Sequence, residues 1–268
     1  MEVERIASLK LHATGLPIEV RVLRKWTPHL KPNDTCYLFV DRFGDAIQAI
    51  AHNNDQKYID SKINVLKCYR IESYVCVPIS PTINVVSHYV HLRIGAATSI
   101  DSIHDTDILP QQYFEFCQYE NLDSLRGDSH QVIDFIGLLQ GMEEKTTKDR
   151  KPFVNLTLTN ASNHSIQTTL WKEIVTSSNI YNKQAIEKSE FPAVIAVTSM
   201  RIVQYQCRLQ LSSTATTYVY LNPNSSLTEK LLNSFKSDSS GVQQTELQQM
   251  AGRNTLTALG ENRITIAG

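Results

Sequence analysis

The stretch Phe153 to Trp171, FVNLTLTNASNHSIQTTLW, constrains the fold of this chain more than any other. Val154, Leu156 and Leu158 alternate with Asn155, Thr157 and Thr159, and Ile166, Thr168 and Leu170 alternate with Gln167, Thr169 and Trp171. That period of two reads as two strands around a polar turn at Asn160 to Ser165. Side chains two apart in a strand share a face, so Trp171 belongs with Gln167 and Thr169, away from Ile166 and Leu170. A tryptophan on the polar face of a sheet needs a reason.

The pattern occurs twice. Asp41 to Asp45 (DRFGD) is a turn, and the strand after it, IQAIAH from Ile47 to His52, aligns with IQTTLW from Ile166 to Trp171. The offset of 119 residues (166 minus 47) is too long for a solenoid repeat and suits two copies of one small β domain. In the first copy, strands are expected at 18–23, 37–41 and 46–52. A helix follows at 53–64, capped by Asn53 or Asn54 with Tyr58, Ile59 and Ile63 on one side, and then strands at 65–77 and 85–94. The second has an entry strand at 112–116, strands at 132–139 and in the hairpin, a helical crossover at 172–188, and strands at 194–203 and 207–211. Ser226 to Glu229 reads as a capping box opening a helix that carries Leu227, Leu231, Leu232 and Phe235. Three strands, a helix and two strands is the layout of the OB-fold, a five-stranded Greek-key barrel. The expected class is all-β with short helices: two tandem OB-fold barrels, over 1–108 and 109–236, and a flexible polar tail over 237–268.

Composition excludes several classes. No apolar run approaches the roughly 20 residues that cross a bilayer, and MEVERIASLKLH lacks the apolar core of a signal peptide, so an intracellular protein is expected. The five cysteines form no CxxC pair, which points to reduced thiols packed as small apolar groups, with neither disulfides nor a zinc site. His104 lies among scattered acids in DSIHDTD, a polar link read as solvated, and His88 and His91 are read as structural; no metal and no cofactor are expected. There is no GxxxxGK[ST] loop, GxSxG elbow or HExxH helix, so catalysis is not expected. Net charge is −1, and any polyanion binding must rest on local patches: RVLRKW from Arg21 to Trp26, and KTTKDRK from Lys145 to Lys151.

Several segments carry a more specific resemblance. VIDFIGLLQ, TTLWKE, MRIVQYQCRLQLSSTATTYVYLNP, and VRVLRKW with GDAIQA in the first copy resemble the tandem central DNA-binding domains of the large subunit of replication protein A, especially its plant-type and transposon-associated paralogues. The resemblance runs collinearly over about residues 3–236. It implies single-stranded DNA as the partner, gripped by stacking bases on two aromatic residues per domain while basic side chains hold phosphates. Carried over, Trp171 and Tyr205 match the two aromatics of the second domain, and Arg201 matches an arginine just before the latter. Strict alternation would group Tyr205 with Leu209 and Leu211, so its exposure requires a turn near Gln204 to Gln206. Lys148, Arg150 and Lys151 fall in the loop between the first two strands, and Arg208 joins the DNA-binding set. In the first domain His52 takes the first aromatic position and Ile83 to Val86 offers no aromatic, leaving phosphate contacts from Arg24, Lys25 or Arg42.

The resemblance also implies a nuclear protein of DNA replication, repair or recombination, with other replication or repair proteins as partners and no membrane. Counterparts of the family's N-terminal recruitment domain and C-terminal zinc-bearing trimerisation domain are absent from the sequence, so heterotrimer assembly is not expected. The alternative is a degenerate OB-fold protein-interaction scaffold that has lost most DNA affinity.

Overall fold

The computed structural model of the chain describes residues 2–236 except 14, 30, 80–83, 106, 128–130 and 190–191; the expected tail lies outside the described residues. The first copy contains β1 (Ile18–Trp26), β2 (Thr35–Val40), β3 (Ala46–Ala51), helix α1 (Asn53–Lys62), β4 (Cys68–Glu72), β5 (Val75–Pro78), β6 (Val90–Ile94) and β7 (Ser99–Ser102). In the second, a short helix α2 (Leu122–Leu125) precedes β8 (Ile133–Thr146), β9 (Pro152–Thr159) and β10 (Ser165–Leu170). Helices α3 (Lys172–Val175) and α4 (Lys183–Lys188) cross over to β11 (Val194–Tyr205), β12 (Arg208–Ser212) and β13 (Val219–Leu221), and a last helix, α5, spans 226–236.

Both sheets are OB-folds. In the second, β8, β9, β10, β12 and β11 form a closed ring with β10 and β12 parallel, and β13 adds to the outside of β11. The first is ordered β5-β6-β3-β2-β1-β4-β7, with β3 and β6 parallel. Its expected strand at 65–77 is two strands. Ser73 takes a positive φ of 59°, and the kink lets β4 pair with β1 while β5 turns to pair with β6. A further strand, β7, pairs with β4 where a linker was expected. The entry segment 112–116 makes only a single bridge, Phe116 to Asp134.

The 119-residue offset survives as register. Val40 pairs with Ala46 as Thr159 pairs with Ser165, and Ala49 with Leu92 as Thr168 with Leu211, each pair moved by 119 (159 minus 40; 168 minus 49). Alternation then fills each barrel: Val20, Val22, Tyr37, Phe39 and Ile47 line the first, and Val154, Leu156, Leu158, Ile166 and Leu170 the second.

Two caps differ from expectation. His52, not Asn53 or Asn54, is the N-cap of α1, because the Asp55 N–H donates to the His52 carbonyl at 2.8 Å and no side chain caps the turn. Ile59 of that helix and Ile63, its C-cap, are buried, but Tyr58 is exposed. Ser225 caps α5, its Oγ accepting from the Thr228 N–H at 3.2 Å.

No two of the five cysteines are bonded to each other; Cys36, Cys68 and Cys76 are buried, Cys117 is half-buried and Cys207 is exposed. His91 is fully buried in the first barrel with Nε2 3.2 Å from Asn84 Oδ1, and burial lowers its pKa to about 4, with His88 adding to the effect. A depressed folded pKa means that the unfolded chain binds the extra proton first, so this contribution is complete above about pH 6.5 and is lost as pH falls toward 4. The loss amounts to about 3 kcal/mol. Urea titrations at pH 7 and pH 4.5 should show it, and His91→Asn should remove most of the difference; an unchanged acid sensitivity would place it elsewhere.

The basic patch at Arg21–Trp26 is not a surface patch. Arg21 is buried, donating to the carbonyls of Leu109 and Leu66 at 3.1 Å each and pairing with Asp105 at 2.8 Å. Arg24, expected at a phosphate, is 1% exposed. A register shift between Val22 and Arg24 accompanies its insertion into the second copy, where it donates to Ser199 Oγ at 3.1 Å and the Tyr113 carbonyl at 3.2 Å, beneath the Tyr218 ring. Buried Asp134 lies near it, accepting from the N–H groups of Ser199 (2.8 Å) and Glu115 (3.1 Å). Burial pushes the Asp134 carboxyl up from its ordinary range, and the Arg24 charge opposes that rise. Around this polar centre Leu23, Trp26, Leu38, Val40, Val85 and Val86 pack with Tyr113 and Val132.

Candidate nucleic-acid interface

The second barrel has an apolar inner face and a polar outer one, and ladder register specifies the outer face residue by residue. Arg201 lies opposite Ser212, Ser212 beside Thr169, Thr169 opposite Asn155, and Asn155 opposite Glu143. Thr169 Oγ1 donates to Asn155 Oδ1 at 2.9 Å, and in the next row Gln210 Nε2 donates to Gln167 Oε1 at 3.1 Å.

Trp171 sits at the end of this face. It follows β10 as the N-cap of α3, and its indole N–H donates to Ser212 Oγ at 2.8 Å while its backbone N–H donates to Ser213 Oγ at 2.9 Å. These bonds hold the ring against β12, and the residue remains 40% exposed.

Tyr205 is 61% exposed, and the reason is a turn one step later than expected. Gln206 and Cys207 both take positive φ (48° and 60°), the conformation of a two-residue turn that matches strand twist. Tyr205 therefore pairs with Arg208, and Leu209 with Gln204. The turn resets the parity and leaves Tyr205 on the face of Arg201 and Arg208, both exposed, while Leu211 stays in the core. Ser212 and Arg208 are four residue steps apart along β12, about 13 Å of strand between the two rings. Arg126 donates to Gln204 Oε1 and brings to this hairpin a cation that sequence reading missed.

Lys148, Arg150 and Lys151 are exposed at the tip of a ribbon in which β8 and β9 run on beyond the barrel, with Lys145 paired opposite Phe153 near its end. Arg150 turns this tip with a φ of 57°. Phe153, also missed, lies 5.4 Å from Trp171 between ring centres.

The first barrel carries the same face closed. Moving back 119 residues, Asn155, Thr157, Gln167 and Thr169 become Cys36, Leu38, Gln48 and Ile50, all buried, whereas in the second barrel Thr157 is exposed and Gln167 half-buried, with Asn155 and Thr169 buried between them. Tyr205 becomes Val86, which with Val85 packs onto that face, where the Val85 N–H donates to Gln48 Oε1 at 3.4 Å. His52 holds the position of Trp171 and faces Asp34 at 3.0 Å. Lys25 pairs with Asp60 at 2.9 Å, and Arg42 lies over the Phe43 ring in the β2–β3 turn. These residues are scattered around the first barrel, whereas Trp171, Arg201, Tyr205 and Arg208 share one surface.

Among the described residues no group of three His, Cys, Asp or Glu side chains could hold a metal, and no helix is long and apolar enough to cross a membrane.

No family model matches the chain, and no curated protein matches it. Among solved structures it is similar to a replication protein A heterotrimer bound to single-stranded DNA, at 18% identity and a TM-score of 0.54, over 89% of this chain and 56% of that one. The chain thus spans about half the length of that relative. Two further similarities are weaker: the p202 HIN1 domain in complex with a 12-mer duplex (14% identity, TM-score 0.42, 79% of this chain and 94% of that one) and the Ifi202 HINa domain with 20-bp duplex (14%, 0.40, 79% and 97%). The first similarity supports the class, a tandem OB-fold protein, and the fold assignment rests on it and on the ladder register.

Proposed function

We propose that the chain binds single-stranded DNA with little sequence preference, as a replication protein A-like protein of nuclear DNA replication, repair or recombination. The units are 1–108 and 109–236, and the second carries most of the binding. The observation behind this reading is one polar barrel face with two exposed rings, Trp171 and Tyr205, interleaved with Arg201 and Arg208 and bordered by the basic ribbon tip. Aromatic planes accept any base once it is unstacked, and a duplex does not offer free base faces. Guanidinium and ammonium groups supply the phosphate contacts.

A labelled oligonucleotide of about 30 thymidines, titrated by anisotropy against a duplex of equal length, tests the reading. Tighter binding to the single strand is expected; equal affinities would sink it. The near-neutral net charge of −1 favours a protein-interaction scaffold instead, and no shift of either probe would support that alternative. Affinity should fall with salt by about 0.7 log units per decade for each phosphate contact, and changing Lys148, Arg150 and Lys151 together to Ala should make that slope shallower. An unchanged slope would acquit the ribbon tip.

A further inference from the structure

We propose that Phe153 is a third base-contacting ring on this face, holding the nucleotide next to the one on Trp171; the proposal rests on the single-stranded-DNA reading above. Parity places Phe153 with Asn155 and Thr157 on the outer face, while Val154 and Leu156 fill the barrel. It lies opposite Lys145 in the β8–β9 ladder, so Trp171, Phe153 and Lys145 form the row one step beyond Thr169, Asn155 and Glu143. An aromatic side chain on a polar row is as anomalous here as Trp171 itself.

The geometry distinguishes two ways of using the pair. Two rings that sandwich one base must be parallel and about 7 Å apart, twice the contact distance of stacked carbon planes. The Phe153 and Trp171 rings are 5.4 Å apart and inclined at 42°, too close and too tilted to share a base between them. Each therefore offers a face of its own to successive bases. Phe153 is only half-buried, and beside it opens a cavity of about 370 Å³ lined also by Lys145, Thr146, Tyr181 and the Lys183–Glu144 ion pair. The cavity has room for a base plane, with the Thr146 hydroxyl for a base edge and the Lys145 ammonium, paired with Glu143 at 2.6 Å, for a phosphate, while the Thr176 and Tyr181 hydroxyls already donate to the Lys172 carbonyl and to Met142 Sδ.

The test uses the full chain carrying Phe153→Leu, Phe153→Tyr, Trp171→Ala, and Trp171→Ala with Phe153→Leu, each titrated with the thymidine oligonucleotide. Leucine keeps the apolar packing and removes the π face. Phe153→Leu should weaken binding about five-fold or more, with the melting temperature little changed, while Phe153→Tyr stays near wild type. The loss should persist when Phe153→Leu is added to Trp171→Ala. If Phe153→Leu binds like wild type, or if its effect vanishes without Trp171, the ring merely buttresses the tryptophan and the proposal falls. Should Phe153→Leu prove unfolded, Phe153→Met, which also fills the space without a π face, takes its place, and wild-type affinity of that variant would equally overturn the proposal. Wild-type protein that does not bind the oligonucleotide at all overturns the functional reading itself, a result distinct from binding that ignores Phe153.

Discussion

Arg24→Ala is expected to lower the unfolding free energy by about 3–5 kcal/mol, the cost of breaking a buried charge arrangement from one side. Removing the guanidinium strands the Ser199 hydroxyl and the Tyr113 carbonyl and leaves Asp134, which is almost fully buried, without the cation that opposes its desolvation. Asp134 can relieve the loss by taking up a proton, so the penalty should be larger at pH 8 than at pH 5. Pairing Arg24→Met with Asp134→Asn should recover part of the stability, since two neutral groups cost less than one unpaired charge. Urea unfolding at the two pH values measures both effects. Arg24→Ala with wild-type stability would mean that the barrels do not stay docked in solution. Cutting the chain between the units exposes Leu23, Trp26, Leu38 and Val132, so the contribution of each barrel is better measured by substitutions in the intact protein.

The second large effect concerns binding. Trp171→Ala is expected to cost about 1–3 kcal/mol of single-strand affinity, the range for removing one stacking platform. Folding should change little, because the residue is 40% exposed and its indole N–H is held by the Ser212 hydroxyl rather than by the core, while the Ser213 hydroxyl takes the backbone N–H, which alanine keeps. His52→Ala, the same position in the first barrel, should cost much less. The residues around it that would accompany a DNA strand, Leu38, Gln48 and Ile50, are buried under Val85 and Val86. Anisotropy titrations of both variants decide the order. If His52→Ala weakens binding more, the first barrel carries a surface other than this face; early melting of Trp171→Ala would instead make Trp171 a core residue.

Much of this was legible in the chain. Alternation in Val154–Trp171 fixed which side chains face inward, and the Ile-Gln repeat fixed the period, because a strand's face is a local property of residue parity. Phe153 went unread although the same parity puts it with Asn155 and Thr157, and its place beside Trp171 emerged only from the pairing of β9 with β10. Reading Tyr205 was harder: its face depended on whether the turn held Gln206 and Cys207 or began a residue sooner, and one residue reverses every side chain after it.

What the sequence by itself determined, then, is the tandem of two β units of one layout and the exposure of Trp171, since both follow from short-range periodicity. Tertiary structure alone decided the fate of the cations and of the first barrel's face. RVLRKW and KTTKDRK are equally basic as strings, yet Arg21 and Arg24 are buried while Lys148, Arg150 and Lys151 are exposed. The difference lies in partners more than 80 residues away, Leu109 and Tyr113 for the buried arginines and Ser199 farther still. A charged side chain enters a protein interior only where distant groups satisfy it, and no local pattern shows where those groups will be.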